Sequence, residues 1–398
     1  MKTLRKLALL GATALAATAA HADDARPVRI GALVSVSGSG AANGAMAMAG
    51  WKLAIDELNA AGGIAGRKVE LVSGDTQTDP THAVAEARRL VENEKVDAFV
   101  GPATSQEAVP ILGVTTEKAI VQISTAASTQ LTPAFAPYHF STSPLGANQM
   151  IPNIDYALDV MKLTKLALIS DNGGASKAGV QDALVYLKSR GVEPVAVQEF
   201  AFKSEDLTPQ LFSMRSAGAE AVILINSIYD DSRRLLQNRD EIGWDVPVMG
   251  TITTTSNAKT IAAVAGEEIF ANVYGTQFIG LTYCDGDPEG QSEFSRYAER
   301  ARKALPDIDR LGGPASVAQF YIQPMVIAAA IAGSGSTEGK AIADWLAAQP
   351  AIDTVLGPVR ATADSHFLPD LASVTVVRTP HKVRSDGTFL RADCKVGG

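Results

Sequence analysis

Histidine and cysteine are scarce in this chain, with five and two among 398 residues, and that scarcity removes whole classes of chemistry. Outside the first 22 residues only His82, His139, His366 and His381 remain, none in an H-E-x-x-H pair or at helical spacing from another. A metal site needs three or four converging ligands, and neither these histidines nor Cys284 and Cys394 offer that spacing, so no metal and no cofactor are expected. A G-x-S-x-G elbow is absent. S-x-x-K occurs at Ser256–Lys259 and S-D-N at Ser170–Asn172, but in the reverse of the order a serine β-lactamase needs and with no K-T-G after them. Each histidine reads as a surface or packing residue, and an enzyme is not expected. The two cysteines lie 110 residues apart, which leaves open whether they form a bridge.

Long apolar runs are also missing. Leu7 to Ala20 is about 14 residues, short of the roughly 20 that span a bilayer, and no later segment approaches that length. With Lys2, Arg5 and Lys6 before it and Ala20-His-Ala22 after it, the run reads as a signal peptide over residues 1–22, cleaved after about Ala22. The mature protein is therefore expected to be soluble and periplasmic. Positive charge is short as well: 35 Lys+Arg stand against 43 Asp+Glu, a net of −8 that the loss of the leader takes to about −11. That sign excludes nucleic acid and anionic membrane surfaces as expected partners, though not a local anion site built from dipoles.

What is present is a regular beat of apolar strands and amphipathic helices. Val28–Val34 reads as a strand, and Trp51, Ala54, Ile55 and Leu58 then recur at helical spacing. Val69–Val72 is the next strand; Asp79-Pro80 supplies an N-cap and a first-turn proline before the stripe Ala83, Val84, Ala87, Leu90 and Val91. Strands at Val96–Val100 and Ala119–Ile123 follow. After the Pro- and Ser-rich stretch Pro137–Pro144 a second series begins, with strands at Lys165–Ser170, Val195–Phe200, Ala221–Ile225 and Val246–Met249. Helices fit Gln291–Leu305, Ala315–Ala332 and Glu338–Ala348, and Ser373–Val377 with the Ser385-Asp-Gly387 turn reads as a strand and hairpin. The expected class is α/β, two doubly wound parallel sheets covered by helices.

Ligands of such sheets sit at the carboxyl ends of the strands. Here those ends are Ser35–Gly40, Thr104-Ser105, Ser124–Thr129, Asp171–Gly174, Asn226-Ser227 and Thr251–Thr255, nearly all small, neutral and hydrogen-bonding. Taken singly, each is explained as a helix cap or a turn. Converging across two domains, they describe a site that holds an anion at helix N-termini. Thr104, Ser105, Ser128, Asn43, Asp171, Asn172, Ser227 and Thr253 are the candidates. Gly38–Asn43 looks like a dinucleotide loop, yet Asn43 stands where the third glycine belongs and the expected acid is replaced by the distant Asp75. Asp56, Glu57, Glu86 and Glu92 read as solvated helix faces.

The run Ala60–Val72, followed by Asp75, Asp79-Pro80, Ala83-Val84 and Leu90-Val91, resembles the branched-chain amino acid type (Leu/Ile/Val-binding) periplasmic solute-binding proteins of ABC importers. The Gly101-x-x-x-Ser105 turn, Ala126-Ala-Ser128 with Leu131-Thr132, and Tyr138-x-Phe140 fit the same family in order and spacing. That resemblance implies a type I clamshell whose chain crosses a hinge three times, near Ser143, Phe278 and Gly357. Lobe one would be residues 23–143 plus 279–357, and lobe two 144–278 plus 358–398. It further implies that Ser105 and Ser128 hold a ligand carboxylate, that the Ala126 carbonyl receives the ligand amine, and that a monomer passes its ligand to a membrane permease.

The second lobe departs from the family pattern. Asn172-Gly-Gly replaces the usual aromatic-glycine step, and Met249-Gly-Thr-Ile252-Thr253 lacks the glutamate that neutralises an ammonium. A buried ammonium without a partner costs several kcal/mol, so the ligand is either an amino acid neutralised by Asp171, Asp230 or Asp231, or an aromatic or oxo acid without an amine. A secreted α/β enzyme using the same cleft and a ligand-sensing domain are the alternatives.

Overall fold

The computed structural model describes residues 26–201 and 204–394; the expected leader at 1–22 lies outside them. The first series gives β1 (Val28–Val34), α1 (Ala41–Ala60), β2 (Val69–Asp75), α2 (Pro80–Glu92), β3 (Ala98–Val100), α3 (Ser105–Glu117), β4 (Val121–Ser124) and β5 (His139–Ser141). The second gives α4 (Gly146–Asp155), β6 (Leu166–Asp171), α5 (Gly174–Ser189), β7 (Ala196–Phe200), α6 (Thr208–Ser216), β8 (Ala221–Ile225), α7 (Tyr229–Glu241), β9 (Val248–Gly250), α8 (Ile252–Ala265) and β10 (Val273–Phe278). The remainder is β11 (Thr282–Tyr283), α9 (Glu293–Ala304), α10 (Pro314–Ser334), α11 (Gly339–Ala348), β12 (Ile352–Thr354), β13 (Gly357–Val359), β14 (Val374–Arg378) and β15 (Phe389–Leu390).

Two sheets result. One has the order β2-β1-β3-β4-β5, every pair parallel. The other has the order β14-β10-β9-β8-β6-β7, parallel except for β14, which pairs antiparallel with β10 at the edge. The central strands are apolar because both of their faces are covered. One face of the first sheet packs on α1, α10 and α11 through Trp51, Ile327 and Leu346, the other on α2 and α3 through Leu90 and Ile111. The second sheet is covered by α4 and α5 on one side and by α6, α7 and α8 on the other. Strand order reverses between β1 and β3 and between β6 and β8, and these switch points open a crevice at the strand ends.

Local chemistry sets the element ends. Asp79 caps α2 by accepting the Thr81 and His82 amides at 2.8 and 2.9 Å, with Pro80 in the first turn. Gly44 faces the end of β1 so closely that an added Cβ would stand 2.0 Å from the Ser35 carbonyl oxygen, which fixes glycine there.

Three expectations change. First, α10 is 21 residues and apolar enough to cross a membrane, although no such segment is expected after the leader. It is instead the core helix of the first lobe: two thirds of its apolar window is buried, and Gln323 accepts from the Trp51 indole at 2.8 Å while donating to Thr142 Oγ1 at 3.1 Å. Second, Val359, Ala361 and Leu368 still pack in the first core, and Leu368 donates its amide to Ser141. The third passage between sheets therefore follows Leu368 rather than Gly357, because the segment after β13 first pairs alongside β5. Third, Glu57 is not merely solvated; it accepts the Tyr321 hydroxyl at 2.6 Å and the Arg300 guanidinium at 2.9 Å. Cys284 and Cys394 are joined in a disulfide, their Cα atoms 5.5 Å apart, just past the parallel pair β11 and β15.

Candidate ligand-binding site

A cavity of about 600 Å³ lies between the two sheets and is walled by first turns of helices. Ser105 begins α3, Gly146 begins α4, Gly174, Ala175 and Ser176 begin α5, and Thr251 and Thr253 flank the start of α8. Unpaired amides and the positive ends of the helix dipoles make such a convergence favourable to an anion. A second space of about 800 Å³ continues the crevice and shares Ser227 and Thr253 with the first. Asn43, Ile252, Tyr229 and Phe320 line this outer part.

The wall from the first lobe is tied together by its own polar groups. Ser105 Oγ accepts the Ala127 amide at 3.1 Å, and Thr125 donates to the Ala103 carbonyl at 2.9 Å, so the turns after β3 and β4 are held side by side. Ser128 Oγ accepts the Gln130 amide at 3.3 Å. Behind this wall sits Glu107, fully buried, its carboxylate accepting hydroxyls from Ser35 at 3.1 Å and from Thr76 and Thr104. Three hydroxyl donors and the start of α3 face that carboxyl group. Sequence reasoning passed over Glu107; its only signal is an acid in the first turn of a helix, a pattern shared by many ordinary helix starts.

The opposing wall is built on Asp171. The last residue of β6 is fully buried, and its carboxylate accepts the Gly173 amide at 2.8 Å and the Ser227 amide at 2.7 Å. Asp171 is a clamp between two strand ends rather than a ligand-facing group. Ser227 and Ser176 share a hydrogen bond of 3.1 Å at the cavity surface, and Gln149 Oε1 accepts the Ile252 amide at 3.2 Å.

Ser105, Ser128, Ser227 and Thr253 thus line the inner cavity, and Asn43 and Ile252 the outer space. Thr104, Ala126, Asp171 and Asn172 line neither among the described residues. Thr104 turns back to Glu107, and the Ala126 carbonyl already accepts the Ser141 hydroxyl at 2.7 Å. Nor do Asp230 and Asp231 reach the inner cavity: Asp230 pairs with Arg233 at 2.6 Å and Asp231 is buried in α7. Among the described residues, the one charged side chain lining the inner cavity is Asp182, two turns into α5 and far from any strand end. Burial raises its carboxyl pKa, opposed by a hydrogen bond from the Ala147 amide.

The sequence profile of the family described as periplasmic binding protein matches residues 27–382. A Leu/Ile/Val-binding protein homolog 3 from Brucella melitensis is 28% identical over 88% of this chain and 92% of its own. Among solved structures, a branched-chain amino acid transporter substrate binding protein from Streptococcus pneumoniae, in complex with isoleucine, superposes with a TM-score of 0.70 at 23% identity, covering 92% of this chain and 98% of that one. A solute binding protein of an ABC transporter from Rhodopseudomonas palustris, in complex with 3,4-dihydroxy benzoic acid, gives 0.70 at 16% identity over 91% and 95%. With a profile that spans nearly all the described residues and two doubly wound lobes facing one crevice, the chain belongs to the periplasmic binding protein family.

Proposed function

We propose that this chain is the periplasmic receptor of an ABC importer, which captures a small organic acid between its lobes and delivers it to a membrane permease. The observation that carries this reading is the meeting of four helix starts on one cavity whose described lining contains no lysine, arginine or histidine. An anion there is held by amides and hydroxyls, as a group to be bound and released. A hydroxyl nucleophile in that lining has no imidazole or ammonium beside it, which speaks against the enzyme alternative. Both an amino acid and an aromatic acid are bound by the structural neighbours, so fold alone leaves the acid's class open.

In this reading residues 1–22 are an export leader, the first lobe is residues 23–143 plus 279–368, and the second takes the rest. Ser105 and Ser128 hold the carboxylate, with Ser227 and Thr253 closing on it from the other lobe. Closure follows from contacts to both lobes, since a ligand shifts a two-state equilibrium only by binding one state better. The protein acts as a monomer. The test is a thermal-shift screen of small carboxylates on the mature protein: a binder raises the unfolding midpoint by mass action. Ser105→Ala is expected to weaken binding by on the order of 1 to 3 kcal/mol; undiminished affinity in that variant removes the site from consideration.

A further inference from the structure

The face of α5 turned to the cavity reads Ala175, Ala178, Gly179 and Asp182, positions i, i+3, i+4 and i+7 of one helical stripe. Three small residues leave the wall thin, so the first side chain of any reach on that face is a carboxylate. Across from it, Gly146 opens α4 and its Cα side approaches Gly179, an added Cβ at Gly146 standing 3.2 Å from the Gly179 Cα. At this point the two helices approach glycine to glycine, and Asp182 Oδ2 lies at the seam, 3.7 Å from the same added Cβ.

A carboxylate can accept about four hydrogen bonds. Among the described residues, the Ala147 amide is the one group that stabilises the charged form of Asp182. The other acids near the crevice are satisfied by contrast: Asp171 holds two amides, Asp230 an arginine, and Glu107 three hydroxyls. Asp182 is therefore the acid left with unused acceptor capacity, half-buried, in the wall of the cavity. The starts of α3, α5 and α8 favour a negative group; Asp182, which already takes the amide at the start of α4, favours a positive one. A ligand with a single anionic group would place that charge in the same cavity as a carboxylate with no basic side chain in the described lining, whereas a ligand bearing both charges matches both walls.

We propose that Asp182 is the counter-ion for a cationic group of the ligand, so that the cavity selects a small zwitterion over the corresponding simple acid. This rests on the reading of the cavity as a receptor for small organic acids. It assigns the neutralising role to the middle of α5 rather than to the start of α8, where Ile252 and Thr253 carry no charge.

The experiment uses matched pairs on the mature protein: leucine, isoleucine, valine and phenylalanine, each against the acid with the same carbon skeleton and no amine. Isothermal titration of the wild type is expected to show at least one amino acid binding about tenfold or more tighter than its amine-free partner. Asp182→Asn keeps the shape and removes the charge; it should weaken the amino acid by about thirtyfold or more and leave the amine-free acid unchanged or improved. Asp182→Ser provides a second variant, and an unfolding midpoint near that of the wild type shows that either protein is folded. An amino acid affinity equal to wild type in both folded variants overturns the proposal, as does a wild type that prefers the amine-free acid. Binding lost in Ser105→Ala but untouched in the Asp182 variants sinks this assignment alone. Failure of every acid to bind removes the receptor reading, and this inference with it.

Discussion

Ser141, at the end of β5, donates its hydroxyl to the carbonyl of Ala126 at 2.7 Å. The bond joins two neighbouring strand ends of the first lobe behind the wall that carries Ser128. Ala126 is 1% exposed, so its carbonyl cannot turn to water if the donor is lost. Ser141→Ala should therefore lower stability by about 1 to 2 kcal/mol, the cost of a buried acceptor left short. Urea unfolding with an unchanged m-value reads this directly; a midpoint equal to wild type would show that the turn stands without the bond.

Glu107 organises the same wall from beneath. Replacing it with glutamine keeps the volume but removes the charge that three hydroxyls and the start of α3 face. Glu107→Gln should cost on the order of 1 to 3 kcal/mol in stability. Because Thr104 is one of those hydroxyls and Ser105 is the next residue, the affinity for the bound acid should fall alongside. Calorimetric unfolding together with ligand titration separates the two effects.

Arg239 is 2% exposed and donates to the carbonyls of Val246, Ile269 and Ala271 at 3.0, 2.8 and 2.8 Å. It thereby pins the turns around β9 and β10 to α7, and burial depresses its pKa. Arg239→Met fills similar space but strands three carbonyls, and a loss of about 2 to 4 kcal/mol is expected. Denaturant unfolding of the variant checks it, and a loss under half a kcal/mol would contradict the role.

Acid sensitivity follows from His139. It is fully buried, and desolvation above all drops its pKa from 6.5 to about 3, with its ring against Ser124 Oγ at 2.8 Å. The native state thus leaves it neutral while the unfolded chain takes up a proton below pH 6.5. Unfolding binds the extra proton, so stability falls as pH drops from 6.5 toward 3, by about 1.4 kcal/mol per unit for this one group. His366, whose pKa is also lowered by burial, acts in the same direction. A series of unfolding midpoints from pH 7 to 4.5 should show the slope, and His139→Gln should flatten it by about one proton.

How far the sequence reaches depends on the range of the interactions involved. The alternation of strand and helix is written in local apolar spacing, and Asp79-Pro80 marks the start of α2 in two letters. The places of Ser105, Ser128, Ser227 and Thr253 on the cavity wall are legible because a crevice at parallel strand ends is lined by the residues that follow those ends. Asp182 was not, since it lies two turns into a helix and faces the cavity only because Ala175, Ala178 and Gly179 expose that side. Asp171 shows the opposite case: it has the right place in the chain, but each of its carboxylate oxygens accepts an amide, from Gly173 and Ser227, and it lines neither space. The 21-residue apolar α10 carries the same pattern whether its surroundings are lipid or a protein core, and only the Trp51–Gln323–Thr142 contacts distinguish them.

The Cys284–Cys394 bond closes a ring that contains α9, α10, α11 and β14, elements that serve both sheets. Of the three passages between lobes, the last lies inside this ring. A protease that cuts once anywhere between the two cysteines releases no fragment: both pieces stay attached through sulfur, and separation on a gel appears only after reduction. Under the proposed clamshell motion, the last of those passages is thereby held by both of its ends.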